Sequence, residues 1–232
     1  MTNPTTEPQT VGELAEQILA DQPPNLREVT VEERDSDQFD ASAWREERTR
    51  AVLARRIPAE FQDATVADDQ PEVRAWIERF VADPRSVRAL VLLGYPGTGK
   101  THTAYGVVRE AALAFEKRHR RAMSWRFRTH VQLAGDVMPK PEDEHLVAIH
   151  RYKTEDLLVI DDLTSARISE WGAEVLLDII DTRWAEHRAM IITANADADH
   201  LDAAVGERIA SRLADSVRVG FDGPDRRGGD AR

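Results

Sequence analysis

Residues 94–101 read Gly94-Tyr95-Pro96-Gly97-Thr98-Gly99-Lys100-Thr101, a complete G-x-x-x-x-G-K-[ST] octapeptide, and few folds can carry one. The glycines let the backbone curl so that successive N–H groups point inward at phosphate oxygens. The helix that must follow adds its positive N-terminal end. A buried strand before the loop and a helix after it are therefore required, and both are legible. The apolar run Ala89–Leu93 leads in, and the sequence from Lys100 to about Lys117 reads as a helix. In that setting Lys100 places a cation on the β- and γ-phosphates of a nucleoside triphosphate, and Thr101 offers its hydroxyl to Mg²⁺. With His102 on the first helical turn, residues 94–102 form the candidate nucleotide-binding set.

From Arg88 onward strand and helix patterns alternate, which predicts an α/β fold: a parallel sheet with crossover helices on both faces. The remaining strands are expected at Ser124–Arg128, Leu157–Ile160, Ala189–Thr193 and Val217–Phe221. Helices are expected from His130, from Ser169 to about His187, and over Gly206–Asp215. Upstream, a helix is expected over Ser42–Arg55, stopped by Pro58, and Phe61–Val66 reads as a short strand or a lead-in. Pro71 suits a helix N1 position, and Val73, Trp76, Ile77, Phe80 and Val81 follow as a core-facing stripe. A capping box at Thr10 and Glu13 opens a short helix that either folds back on the core or docks a partner. These boundaries divide the chain into a helical, acidic extension (1–54), a nucleotide-binding core (55–227) and a frayed tail (228–232).

Three further elements bear on chemistry. The strand Leu157–Ile160 ends in Asp161-Asp162, which places two carboxylates at the C-terminal edge of the sheet, where ligands bind in such folds. Asp161 would hold the Mg²⁺ shell. Asp162 either orients and partly deprotonates an attacking water or merely caps the next turn. An adjacent second acid speaks against a small-molecule kinase, whose attacking group comes from substrate. Asn195 follows Ile191-Ile192-Thr193-Ala194, where it either contacts the water or the γ-phosphate or caps a helix. In Gly206-Glu207-Arg208-Ile209-Ala210-Ser211-Arg212-Leu213, Arg208 and Arg212 share a helix face, with Ile209 and Leu213 anchoring the next. Such arginines stabilise a transferring phosphoryl group when a neighbouring subunit supplies them, or else are solvated.

Composition narrows the setting. The chain has no cysteine, so disulfides and Cys-ligated zinc are excluded, and its seven histidines show no metal-ligand spacing. No apolar run approaches the ~18 residues that span a bilayer, and the polar N-terminus has no signal-peptide pattern. A cytoplasmic protein without membrane contact is expected. The net charge of −11 is uneven: residues 1–80 carry 18 Asp/Glu against 9 Lys/Arg, whereas residues 116–128 carry one acid and six Lys/Arg. Nucleic-acid contact therefore needs a local patch, and Lys117, Arg118, Arg120, Arg121, Arg126 and Arg128 are the candidates. Trp125 and Phe127 beside them either stack bases or, as their alternation with Arg126 and Arg128 suggests, face the core.

The ordered set GYPGTGKTHTA, LLVIDDL, DIIDTRW, IITAN and GERIASRL, with the lead-in RRIPAEFQDAT, resembles AAA+ ATPases and, more narrowly, the DnaC-type helicase loaders, over roughly residues 55–227. The resemblance implies an ATPase with ATP and Mg²⁺ between adjacent subunits of a homo-oligomer, Arg212 as the finger and Arg208 as its support. It further implies single-stranded DNA and a hexameric replicative helicase as partners, and no separate C-terminal helical lid. The family's terminal G-x-S-Y-R element has its counterpart in Gly223-Pro224-Asp225-Arg226-Arg227, so Arg227 takes the sensor-like place although the Ser and Tyr are missing. Two other functions fit the same core. One is an IstB-type transposition ATPase acting on duplex DNA with a transposase; the other is a nucleotide-dependent binding switch with little turnover.

Overall fold

The computed structural model describes residues 40–163, 170–196 and 205–225. The capping-box helix at Thr10, the tail and Arg227 lie outside them. Five strands form the sheet: β1 (Ala89–Gly94), β2 (Trp125–Thr129), β3 (Leu157–Asp161), β4 (Ala189–Ala194) and β5 (Val217–Phe221). All paired strands are parallel, in the order β2-β3-β4-β1-β5. The three central strands β1, β3 and β4 are buried almost throughout, which is why they read as unbroken apolar runs. The two edge strands alternate buried and accessible residues.

The helices among the described residues are α1 (Ala41–Arg56), α2 (Pro71–Ala82), α3 (Lys100–His119), α4 (His130–Val137), α5 (Glu144–Thr154), α6 (Glu170–Ala185) and α7 (Glu207–Arg212). Because successive strand residues point to opposite faces, the sheet builds two cores. Leu90, Leu92, Val159 and Ile191 pack with the α2 stripe Val73, Trp76, Ile77 and Phe80 and with α3. Val91, Leu93, Leu158, Ile160 and Ile192 pack with Leu133, Tyr152, Leu176, Ile179 and Ile180 on the opposite face.

One open alternative is resolved and two local expectations are corrected. Phe61–Val66 forms no strand; a 3₁₀ turn over Ala59–Phe61 leads into extended chain that buries Ala64 and Val66, so the lead-in alternative holds. The helical stretch from His130 is two helices, because Lys140-Pro141 interrupts the ladder and a 3₁₀ turn over Pro141–Asp143 bridges them. The expected helix Gly206–Asp215 is shorter, Glu207–Arg212, since turns carry the chain to β5. Ile209 and Leu213 do anchor it against the core.

Candidate functional site

The strand order sets the site. β4 lies between β1 and β3, so the residues leaving β4 emerge between the phosphate loop and the two aspartates. A cleft of about 610 Å³ opens there, lined by Pro96, Gly97, Gly99, Lys100, Thr101, His102, Asp161, Asp162, Thr193 and Asn195, with Glu60 and Phe61 of the lead-in on its rim. That is within the size of small-molecule sites.

The loop is built by its own polar groups. Lys100 Nζ donates to the carbonyls of Gly94 and Tyr95, both at 2.8 Å, and Thr98 Oγ1 donates to the same Tyr95 carbonyl at 2.8 Å. The Tyr95 ring itself is exposed. Gly99, at φ 102°, caps α3 in a conformation that L side chains rarely adopt. Gly97, at φ 81°, is required for a second reason. A Cβ there would fall 1.8 Å from Oδ1 of Asp225, so the segment after β5 lies against the loop.

Across the cleft, Thr101 Oγ1 donates to Asp161 at 3.0 Å and 3.2 Å. This hydroxyl and this buried carboxylate suit a hard divalent cation, and they are the residues that could hold Mg²⁺. Burial pushes the Asp161 carboxyl above its ordinary pKa, opposed by hydrogen bonds from Thr193 and Thr101, and the charge of Asp162 pushes the same way. Asp162 adopts φ 58°, which Asp tolerates. Its Oδ1 accepts from Asn195 Nδ2 at 2.6 Å. Asp162 and Asn195 are thus joined as one unit facing the loop.

Two residues in or beside this site are given no role by the sequence motifs. Thr193, 1% exposed, donates to Asp161 Oδ1 at 2.7 Å and accepts from the Asp162 backbone N–H at 2.7 Å. Its position within an apolar strand was the available signal. His130 follows β2, whose Thr129 is in register with Asp161. It is buried, and neither ring nitrogen has a hydrogen-bond partner among the described residues. Burial holds its pKa below the ordinary value, against the pull of Asp162.

Arg208 and Arg212 do not reach this cleft. They line a separate cavity of about 390 Å³ with Leu177, Asp181, Glu207 and Ser211. Arg212 sits by the last turns of α6, over the ring of Trp184, which also stacks under Arg88 just before β1. That is the N-terminal end of the sheet, whereas the loop and both aspartates are at its C-terminal end. The six residues of β1 separate the two ends by roughly 17–20 Å.

The basic stretch is partly consumed by intramolecular pairs. Arg121 makes two bonds to Asp156, at 2.7 Å and 2.9 Å; Arg126 pairs with Glu155 at 3.0 Å and Arg128 with Asp136 at 2.9 Å. Lys117, Arg118 and Arg120, at the C-terminus of α3, are exposed and have no ion pair among the described residues. Trp125 and Phe127 are core residues, which overturns base stacking by either: Tyr105 stacks on Phe127 at 3.8 Å, and Arg56 covers Trp125 at 3.8 Å.

Residues 58–218 match the family model of IstB-like ATP binding proteins. No curated protein matches the sequence. Among solved structures, that of the DnaC helicase loader matches with a TM-score of 0.57 at 22% identity, covering 71% of this chain and 100% of that one. DnaI matches with a TM-score of 0.56 at 20% identity, over 72% and 95%. The replication initiator DnaA bound to AMPPCP and single-stranded DNA matches at 0.58 and 18%, over 73% and 52%. At these identities the likeness is one of fold.

Proposed function

Since the chain belongs to the family of IstB-like ATP binding proteins and is an ATPase of the AAA+ class, we propose that it is a helicase loader: it assembles on single-stranded DNA, hydrolyses Mg-ATP between adjacent subunits and delivers a hexameric replicative helicase. The observation that carries the hydrolytic part is the Asp162–Asn195 pair at 2.6 Å, which lines the same cleft as Lys100 and Thr101. In this reading Lys100 exchanges its loop carbonyls for phosphate oxygens, and Thr101 and Asp161 would hold Mg²⁺, which would supply positive charge against the phosphates. Asp162, oriented by Asn195, accepts a proton from the attacking water. Arg212 stabilises the transferring phosphoryl group of the neighbouring subunit. Its place at the far end of the sheet from its own cleft supports action in trans, with Arg208 beside it. Arg227 remains the sensor-like candidate by its motif alone.

The loader reading draws support from the DnaC and DnaI matches, each covering nearly all of the matched chain. For DNA contact we assign Lys117, Arg118 and Arg120, the cations of this stretch that have no acidic partner among the described residues. The match to IstB-like ATP binding proteins keeps open the second reading given by the sequence resemblance, an IstB-type transposition ATPase acting on duplex DNA. Co-purification of the ATP-bound protein with a hexameric helicase or with a transposase separates the two. Capture of the helicase, with ATPase stimulation by single-stranded rather than duplex DNA, is the expected result. Capture of a transposase with duplex stimulation would reject the loader.

A further inference from the structure

The segment Asp178–Trp184 matched a family motif, yet the reaction described so far gives it no task. Its side chains are engaged in specific ways. Asp178 pairs with Lys153 at 2.6 Å. Arg183 is wholly buried, and its two terminal nitrogens donate to the carbonyls of Tyr152 and Ala189 at 2.7 Å and 2.6 Å, fixing α6 to α5 and β4. Asp181 accepts from Arg212 Nε at 2.6 Å, and the Arg212 guanidinium lies over the Trp184 ring, 5.0 Å from its centroid. Trp184 is itself held, since Arg88 stacks on it at 4.5 Å and Arg88 pairs with Asp215 at 3.3 Å.

We infer that Asp181 and Trp184 are positioning residues for Arg212: they hold its guanidinium so that the end carrying both terminal nitrogens is presented to the phosphoryl group in the next subunit. The inference rests on the trans-acting role proposed for Arg212. A guanidinium offers donors in a rigid planar fork, and here the carboxylate engages only Nε. No acceptor for either terminal nitrogen occurs among the described residues, so the Nη1–Nη2 edge suits a bidentate phosphate contact. The aromatic face fixes the plane of the fork, and the ion pair fixes its rotation within that plane. The Arg212 and Asp181 side chains are 37% and 35% exposed, and both line the 390 Å³ cavity, so the pair is accessible to a neighbouring copy. Placement matters because a misplacement of about 1 Å costs on the order of 100-fold in rate.

Subunit mixing tests this separately from the trans reading itself. The parent mixture combines a Lys100→Ala subunit, which donates the finger, with an Arg212→Ala subunit, which donates the nucleotide pocket. Asp181→Ala is then placed on one subunit or the other. On the finger donor it should lower kcat about 10- to 100-fold with KM for ATP unchanged; on the pocket donor it should change neither. Asp181→Asn, which keeps an acceptor for Nε, should rescue part of the loss. Trp184→Phe, which keeps an aromatic face, should also be milder than Trp184→Ala on the finger donor. If Asp181→Ala does not fold, the Asp181→Asn and Trp184→Phe arms carry the same placement comparison. Equal effects on both subunits, or no effect on the finger donor, would overturn the positioning role. An inactive parent mixture would instead reject the trans finger on which it rests.

Discussion

Thr193 offers the sharpest stability test of the site, because one hydroxyl serves both aspartates. Thr193→Val keeps the shape of the side chain and removes the donor to Asp161 and the acceptor for the Asp162 N–H. A hydrogen bond to a charged group contributes about 1.5–3 kcal/mol, and a buried N–H left without a partner costs about 1–3 kcal/mol. Asp161 keeps its bond from Thr101, so the lower half of the sum applies, about 3 kcal/mol. For a core of this size that lowers Tm by about 6–12 °C. Thr193→Ser is the control: it keeps both hydrogen bonds and loses one methyl, about 1 kcal/mol. Thermal unfolding of the nucleotide-free protein measures the difference. Steady-state ATPase assays should show kcat down about 100-fold in Thr193→Val, because Asp162 loses its backbone anchor, and a much smaller loss in Thr193→Ser. A Thr193→Val protein as stable and as active as Thr193→Ser would refute the reasoning.

Lys100→Ala should abolish ATP binding, whereas Asp162→Asn should bind ATP and Mg²⁺ normally and lose about 100-fold or more in kcat; fluorescent-nucleotide titration and phosphate release distinguish them. Charge reversal at Lys117, Arg118 and Arg120 should weaken single-stranded DNA binding and flatten its salt dependence, because fewer counterions are released; an unchanged slope in a protein that still binds ATP would move the DNA site elsewhere. Asp156 is raised by burial, but the stronger combined pull of Arg121 and the Ser124 amide and hydroxyl holds it below the ordinary carboxylate pKa. A depressed folded pKa contributes stability above the unfolded value that is lost as pH falls through the folded one. Asp156→Asn should therefore destabilise the protein at neutral pH, by on the order of 1 kcal/mol because Arg121 is half-exposed, and the difference from wild type should vanish in strong acid when unfolding is followed against pH.

The sheet was legible because its three central strands are buried on both sides, leaving Thr193 as the single polar position in Ala89–Leu93, Leu157–Ile160 and Ala189–Thr193. The loop and the two aspartates were legible for a related reason: each lies where such a strand ends. Phe61–Val66 was ambiguous because a short alternating run looks alike whether it pairs in a sheet or lies on one; here Glu110 receives the Val66 N–H in place of a ladder. The charge run at residues 117–128 revealed where cations cluster but not their partners. Asp136, Glu155 and Asp156 come from other parts of the chain, and only the fold brings them to Arg128, Arg126 and Arg121. Thr193 and Asp181 lie inside the segments IITAN and DIIDTRW, yet their tasks were hidden, because a lone Thr in an apolar strand or an Asp on a helix shows no partner until the fold supplies one. Arg183 is the extreme case: burial pushes its pKa down to about 9, and no spacing rule predicts a fully buried arginine.

The central claim is that the chain hydrolyses ATP with a cleft from one subunit and Arg212 from the next. Its most direct measurement is the ATPase rate of Lys100→Ala and Arg212→Ala proteins, alone and mixed. Alone, Lys100→Ala lacks the phosphate cation, and Arg212→Ala lacks a group that accelerates phosphoryl transfer by about 1000-fold or more. Each should be inactive, and the mixture should recover part of the wild-type rate, rising with protein concentration. An Arg212→Ala protein that turns over at the wild-type rate, or a mixture as inactive as its parts, would contradict the account.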